Sequence, residues 1–321
     1  MSRSPTCGTT WTGRPSAGPA GVRAACRSWP AEVTAVTEAR PQEKEAFDAR
    51  RFALELRNEI EQNRIKLPTL PNLSLEALLV VNDAGSSMAD VARIISKDTS
   101  MAARLVRYAN SPLYRGISNV TSVKAAITRI GIDAVKHAIL SLAMRDVFTT
   151  AYRSIQARME ALWQHSVVVA TKSALLASRF PHLNKDEAML AGLIHDVGVI
   201  PILIKATADP LLLEDEATLD KLIRALHMSV GKFMLDHWNF DESLVEVAAC
   251  HDRFDRVPPT AEVDYVDIVM VANVLAHEGS GSSHDRLDRS RIAAFQRIGE
   301  ELIEQVQQAA DAEPGIGNVL H

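Results

Sequence analysis

An all-α protein made of two packed helical sub-bundles is the fold this sequence predicts. Three observations predict it: apolar residues recur at helical spacing through most of the chain, capping residues stand just ahead of those runs, and strand-like alternation never persists. With 321 residues, 47% of them hydrophobic and 23% charged, the chain can bury a full core and divide it in two.

The elements follow in order. The first 31 residues are rich in Gly, Pro, Ser, Thr and Arg and carry no acid before Glu32, so residues 1–41 are expected to be disordered. Residues 42–65 change to a charged, helical character, with Phe47, Phe52, Leu54 and Leu56 marking a lead-in helix. Folded structure is expected over residues 66–280. Leu67-Pro68-Thr69-Leu70-Pro71 is a rigid entry, and Ser74 caps a run with Leu75, Leu78, Leu79 and Val80. Ser87 with Asp90 forms a capping-box pattern ahead of Val91, Ile94 and Ile95. Met101, Leu105, Val106 and Ala109 repeat until Asn110-Ser111-Pro112 stops them. Thr121 or Ser122 opens a helix that Gly131 ends, and Asp133 starts the next, through Val135, Ile139, Leu142 and Val147.

The second half reads the same way. Helices are expected over Ala161 to Phe180, from an Asn184 cap through Lys185 to His195-Asp196, around Leu222 to Met234, over Leu244 to Cys250 and over Val266 to Ala276. Residues 281–321 are expected to hold a linker and one terminal amphipathic helix, from Arg291 to Gln308.

Charge narrows the function classes. Net charge is −5, which disfavours broad nucleic-acid binding. Its distribution is uneven: Met101–Arg145 carries seven basic residues against Asp133 alone, and Asp241–Glu278 carries nine acids against Arg253 and Arg256. The basic face is either a solvated surface or a docking patch, centred on Arg104, Arg107 and Lys124, for acidic or phosphorylated partners. A helix-turn-helix at Gly131, with Lys124, Arg129 and Lys136 facing phosphate, is the rival reading. No basic arm or zipper accompanies it, so DNA binding is disfavoured. Three scattered cysteines, Cys7, Cys26 and Cys250, make no disulfide framework and point to a reducing, cytoplasmic compartment. No continuous apolar run reaches the length of a membrane span.

The chemistry concentrates in Ala191-Gly192-Leu193-Ile194-His195-Asp196-Val197-Gly198, where an adjacent imidazole and carboxylate end an apolar run. His165, in Leu162-Trp163-Gln164-His165-Ser166, is a third nitrogen or oxygen donor on another helix. Side chains at neighbouring helical positions diverge by about 100°, so His195 and Asp196 share a cation only near a helix end, which Gly198 and Pro201 make plausible. The alternative is a buried hydrogen-bonded pair that holds two helices in register.

These stretches, with Ile94-Ile95-Ser96-Lys97-Asp98, Leu105 to Pro112, Ser122 with Ala125-Ala126-Ile127, and Ile130-Gly131, resemble the bacterial HDOD family, the HD-related output domain. The resemblance runs from about Ile65 to Gly279 and implies an all-α regulatory output or scaffold module related to HD-superfamily metal phosphohydrolases. His165, His195 and Asp196 match the superfamily's first three ligand positions. His227 and His251 resemble the further histidines of two-metal relatives, and Arg107, Tyr108 and Asn110 are candidates to brace the two sub-bundles. Two departures point away from hydrolysis: Asn273 stands where the superfamily closes its metal site with Asp, and Val199 stands where cyclic-dinucleotide phosphodiesterases carry Lys.

The reading is therefore a regulatory signal-transduction module with no catalytic residues of its own, a divalent cation (Fe, Mn or Mg) as candidate cofactor and signalling proteins as partners. A nucleotide second messenger is a candidate ligand, a membrane is not, and a homo-oligomer is allowed. The competing reading is a metal-dependent phosphohydrolase acting on a nucleotide or cyclic dinucleotide. His182, His237, His277 and His284 read as ordinary surface or boundary residues.

Overall fold

The fold is seen in a computed structural model that describes residues 48–62, 64, 76, 87–114, 116, 118–279, 281, 283–312 and 320. The segment 1–41, the Leu67–Pro71 entry and the Ser74 cap lie outside the described residues. Every regular element among the described residues is helical.

Helix α1, Ala49–Glu61, is capped by Asp48, which accepts from the Arg51 N–H, and buries Phe52, Ala53, Leu56 and Ile60. It occupies the middle of the expected lead-in segment and packs on the helices Val199–Ala206 and Glu216–His237 of the second half. The N-terminal bundle follows with α2 (Met88–Ile95), α3 (Thr99–Ala109), α4 (Val123–Ile130) and α5 (Ile132–Val147). The Ser87–Asp90 capping box forms in both directions. Asp98 caps α3 by accepting from the Ser100 and Met101 N–H groups, and Ser122 caps α4 by accepting from Ala125. At the end of α3, Asn110 accepts from the Val120 N–H and donates to the Val120 carbonyl, which closes the loop that Ser111-Pro112 begins. Gly131, at φ 92°, both ends α4 and precedes α5, so α5 starts one residue ahead of Asp133. Two of the three would-be DNA-facing cations are engaged within the protein: Arg129 donates to Asn110 and Ala109, and Lys136 pairs with Asp241 at 3.2 Å, whereas Lys124 is exposed.

The second half comprises α6 (Gln156–Ala177), α7 (Lys185–Ile194), α8 (Val199–Ala206), α9 (Pro210–Glu214), α10 (Glu216–His237), α11 (Glu242–Cys250) and α12 (Tyr265–Ala276). Helix α7 beyond its first residue, α12 and the second half of α6 are buried on most of their faces, because they are largely apolar and lie inside the bundle. Gly192 lets α7 approach α6 closely: a Cβ there would stand 2.7 Å from the Ala170 Cα. Lys185–Ala206 is apolar and long enough, at 22 residues, to pass for a membrane span by composition. It is a core segment instead, 83% buried over its most apolar window and interrupted between α7 and α8.

Tyr108 joins the halves. Its ring is fully buried and its hydroxyl donates to Asp186, in the first turn of α7, at 2.8 Å. Of the residues expected to brace this seam, Tyr108 does so, Asn110 ties a loop within its own half, and Arg107 is exposed.

The expected single tail helix is corrected by the structure. It is two helices, α13 (Ala293–Ile298) and α14 (Glu300–Ala312), because Gly299 takes φ 86°, a left-handed conformation that ends the first.

Candidate metal centre

Helix α7 ends at Ile194, so His195 and Asp196 stand at its C-terminal edge, before the turn through Val197-Gly198 into α8. This is the helix end that an adjacent pair needs if both side chains are to reach one point. Gly198 is indispensable there: a Cβ would lie 2.0 Å from the His227 carbonyl oxygen and 2.4 Å from the Gly231 nitrogen. The turn thus presses against α10 where His227 projects.

Three imidazoles are fixed by backbone carbonyls on their outer edges. His195 Nδ1 lies 2.7 Å from the Gly192 oxygen, His227 Nδ1 2.9 Å from Ile223, and His251 Nδ1 3.2 Å from Val247. Each Nδ1 therefore carries the proton and donates it outward, which leaves the Nε2 lone pairs directed inward. They converge: His227 Nε2 and His251 Nε2 are 3.3 Å apart, His251 Nε2 is 3.3 Å from Asp196 Oδ1, and His227 Nε2 is 3.6 Å from the same oxygen. His195 Nε2 lies 3.3 Å from Asp196 Oδ2. Such a cluster of acceptors is repulsive unless a proton or a cation sits among them.

The donors form two groups that share Asp196. His165, His195 and Asp196 make one, and Asp196, His227 and His251 the other, each with all its ligand atoms within 4.8 Å of one another. A cation with ligand bonds of about 2.1 Å sets neighbouring donors about 3.0–3.4 Å apart, and the separations in the second group are 3.3–3.6 Å. His165 Nε2, His195 Nε2 and Asp196 Oδ1 are buried without a hydrogen bond, although buried polar atoms are nearly always partnered. The residues fit a divalent metal.

Electrostatics agree with this fit. Burial would raise the Asp196 carboxyl, but His195, His251 and His227 outweigh it and hold the group well below the usual carboxylate range. Burial disfavours charge on His227 too, yet the hydrogen bond to Asp252 and the charges of Asp196 and Asp252 raise it to about 9. Burial, reinforced by neighbouring His195, lowers His165 to about 3. Asp196 likewise raises His195 against its burial, so without a cation protons held by these imidazoles help bind the cluster together, and a divalent ion would displace them.

Three residues absent from the predicted donor set complete the surroundings. Asp252 follows His251, lies 3.6 Å from His227 Nε2 and accepts from the Asn273 amide at 2.9 Å. His277 stacks on His284 with ring centroids 4.3 Å apart and contacts His165 at 4.5 Å. His284 reaches back to Asp252 at 3.3 Å. His277 and His284 thus belong to the wall of the site rather than to an ordinary boundary. Asp252 was signalled by His251-Asp252, a second adjacent His-Asp pair. His277 shares a helix face with Asn273, four residues before it, whereas His284 arrives from a loop and leaves no mark in the pattern. His182, bonded to the Val263 carbonyl, and exposed His237 lie outside the cluster. Val199 is buried and apolar.

The profile of the HDOD domain family matches residues 67–254. The chain belongs to the HDOD family. Among solved structures, this HDOD protein is similar to one from Shewanella amazonensis named as a candidate metal-dependent phosphohydrolase, with TM-score 0.70, 24% identity and coverage of 85% of this chain and 99% of that one. An HDOD domain protein of unknown function from Geobacter sulfurreducens aligns with TM-score 0.64 and 25% identity, over 84% and 97% of the two chains. A candidate signal transduction protein from Marinobacter aquaeolei aligns with TM-score 0.58 and 18% identity, over 87% and 67%. No match was found among curated proteins.

Proposed function

We propose that this HDOD protein is a regulatory output module of cytoplasmic signal transduction, which binds a divalent metal at the His165, His195, Asp196, His227 and His251 cluster and acts through protein partners rather than by turnover. The observation that carries this reading is the state of the closing position. Asn273 spends its amide on Asp252, so it presents no charge of its own to a cation or to an activated water. Buried Val199 likewise offers nothing to a phosphate. Imidazole-rich donors favour Fe over Mg. When bound, the metal supplies positive charge that replaces the His227 proton; the chain's own residues orient the donors.

The partner surface in this reading is basic and lies in the N-terminal bundle. Arg107 and Lys124 are exposed on α3 and α4, and half-buried Arg104 holds the Leu142 carbonyl at 2.8 Å. Lys124 also lines a shallow cavity of about 580 Å³ with Ser122, Thr128 and Arg129, away from the histidine cluster.

The phosphohydrolase reading keeps one specific support: Asp252 is a carboxylate beside the second donor group. Metal analysis of protein purified without chelator, followed by turnover assays over nucleotides and phosphodiesters with Mn²⁺, Fe²⁺ or Mg²⁺, separates the two. Stoichiometric metal without turnover is expected, and turnover abolished by His195→Ala would overturn the regulatory reading. Charge reversal at Arg107 and Lys124 is expected to weaken partner capture in a pull-down, and unchanged recovery would reject the basic docking face.

A further inference from the structure

We infer that Asp252 supplies the carboxylate that the closing position no longer carries, and that Asn273 and His284 are positioning residues that aim it at the metal. The inference rests on the metal-binding reading above and extends it to Asp252 and, beyond the matched family segment that ends at residue 254, to Asn273 and His284.

The two oxygens of Asp252 are used differently. Oδ1 accepts from Asn273 Nδ2 at 2.9 Å and faces His284 Nε2 at 3.3 Å. Oδ2 points the other way and lies 3.6 Å from His227 Nε2, beside the inward lone pairs. With one oxygen engaged by two N–H groups, the other is set toward the cation, as outer partners do for ligating carboxylates. This gives Asn273 a reason. An aspartate there would place a second negative charge against Asp252 Oδ1, whereas an amide N–H holds it. A carboxylate for the cation thus stands at the end of α11 instead of on α12, and with Oδ1 engaged by two N–H groups it is not a free base for a bound water.

His284 is built into place. Asp285 accepts from the Gly279 and Gly281 N–H groups at 3.0 and 2.7 Å, fixing the turn that carries it. The His284 ring stacks on His277, 7° from parallel, and meets the edge of Phe254 at 5.7 Å. Metal loading is therefore coupled to the segment 277–286, which leads into the C-terminal helices α13 and α14.

The test is a Mn²⁺ titration of chelator-stripped, full-length protein by calorimetry, with amide hydrogen exchange followed in parallel over residues 277–286. Asp252→Asn and His284→Ala are expected to weaken Mn²⁺ binding roughly 10–100-fold, and His284→Gln, which keeps an N–H donor, to recover most of the loss. Exchange in the segment should slow when Mn²⁺ is added to the wild type, a readout that decides the matter even if Asp252→Asn does not fold. Wild-type affinity in Asp252→Asn, equal weakness of His284→Gln and His284→Ala, or unchanged exchange would overturn the inference while leaving metal binding intact. A wild type that takes up no Mn²⁺ would overturn the metal-binding reading as well.

Discussion

In the N-terminal bundle, α2, α3 and α4 bury Val91, Ile94, Ile95, Leu105 and Ile127, and the buried polar side chains before Thr149 are two serines, Ser111 and Ser141, among the described residues. The helices from α6 onward bury His195, His227, His251, Asp186, Asp267 and Asn273 beside an equally apolar core. Burying a titratable group costs several kcal/mol unless it is paired, and an apolar residue of similar size would pack as well. Some of these groups are structural: Asp267 binds Arg256 and Arg297, and Asp186 receives Tyr108. The histidines differ, because their inward nitrogens converge on one another instead of on donors. The contrast teaches that the first bundle is shaped for stability and surface, whereas the second holds polar groups that stability does not require.

The largest expected effect comes from Gly198→Ala. Its Cβ would overlap the His227 carbonyl, forcing α8 away from α10, and the loss should reach about 3 kcal/mol or more in a denaturant melt. A near-neutral result would show that the turn relaxes and that this seam does not define the site. Leu105→Ala, at a fully buried position of the first bundle, should cost about 2–5 kcal/mol. Metal uptake should stay unchanged; if it falls, the two halves are not energetically separate.

A pH titration of the metal-free protein sharpens the contrast within the cluster itself. Folded His165 stays neutral down to about 3, below its ordinary value of 6.5, so the unfolded chain gains the extra proton and stability falls as pH drops from 6.5 toward 3. Folded His227, raised to about 9, behaves oppositely: its contribution is complete below 6.5 and disappears as pH rises toward 9. Ring nitrogen NMR should show the two histidines titrating at opposite ends of the range. Both moving near 6.5 would contradict the packing described. The smallest effect is expected at the rim of the first bundle, where Ser122→Ala removes the α4 cap and should lower stability by about 1 kcal/mol, measured by thermal melting.

Much of the architecture was legible before any coordinates. Capping residues are local, so Ser87, Ser122 and Asn184 each mark a helix start from their immediate neighbours, and each accepts the N-terminal hydrogen bonds expected of it. His195-Asp196 stood out because a polar pair in an apolar run requires a partner. The split tail was missed because Gly299 sits in an otherwise continuous amphipathic pattern, in which an isolated glycine is tolerated inside a helix as readily as it ends one.

Periodicity, caps and the order of motifs thus sufficed for the fold class, the family and the helix end that carries the His-Asp pair, since all of these are written in short-range spacing. Which imidazoles face one another, that Asp252 stands beside His227, that Asn273 holds it, and that His284 returns from a loop to join them were decided by packing. Those contacts link residues from 7 positions apart, His277 and His284, to 112 apart, His165 and His277, across separate helices or loops, or set neighbouring side chains by the angle at which a helix ends, and local chemistry constrains neither.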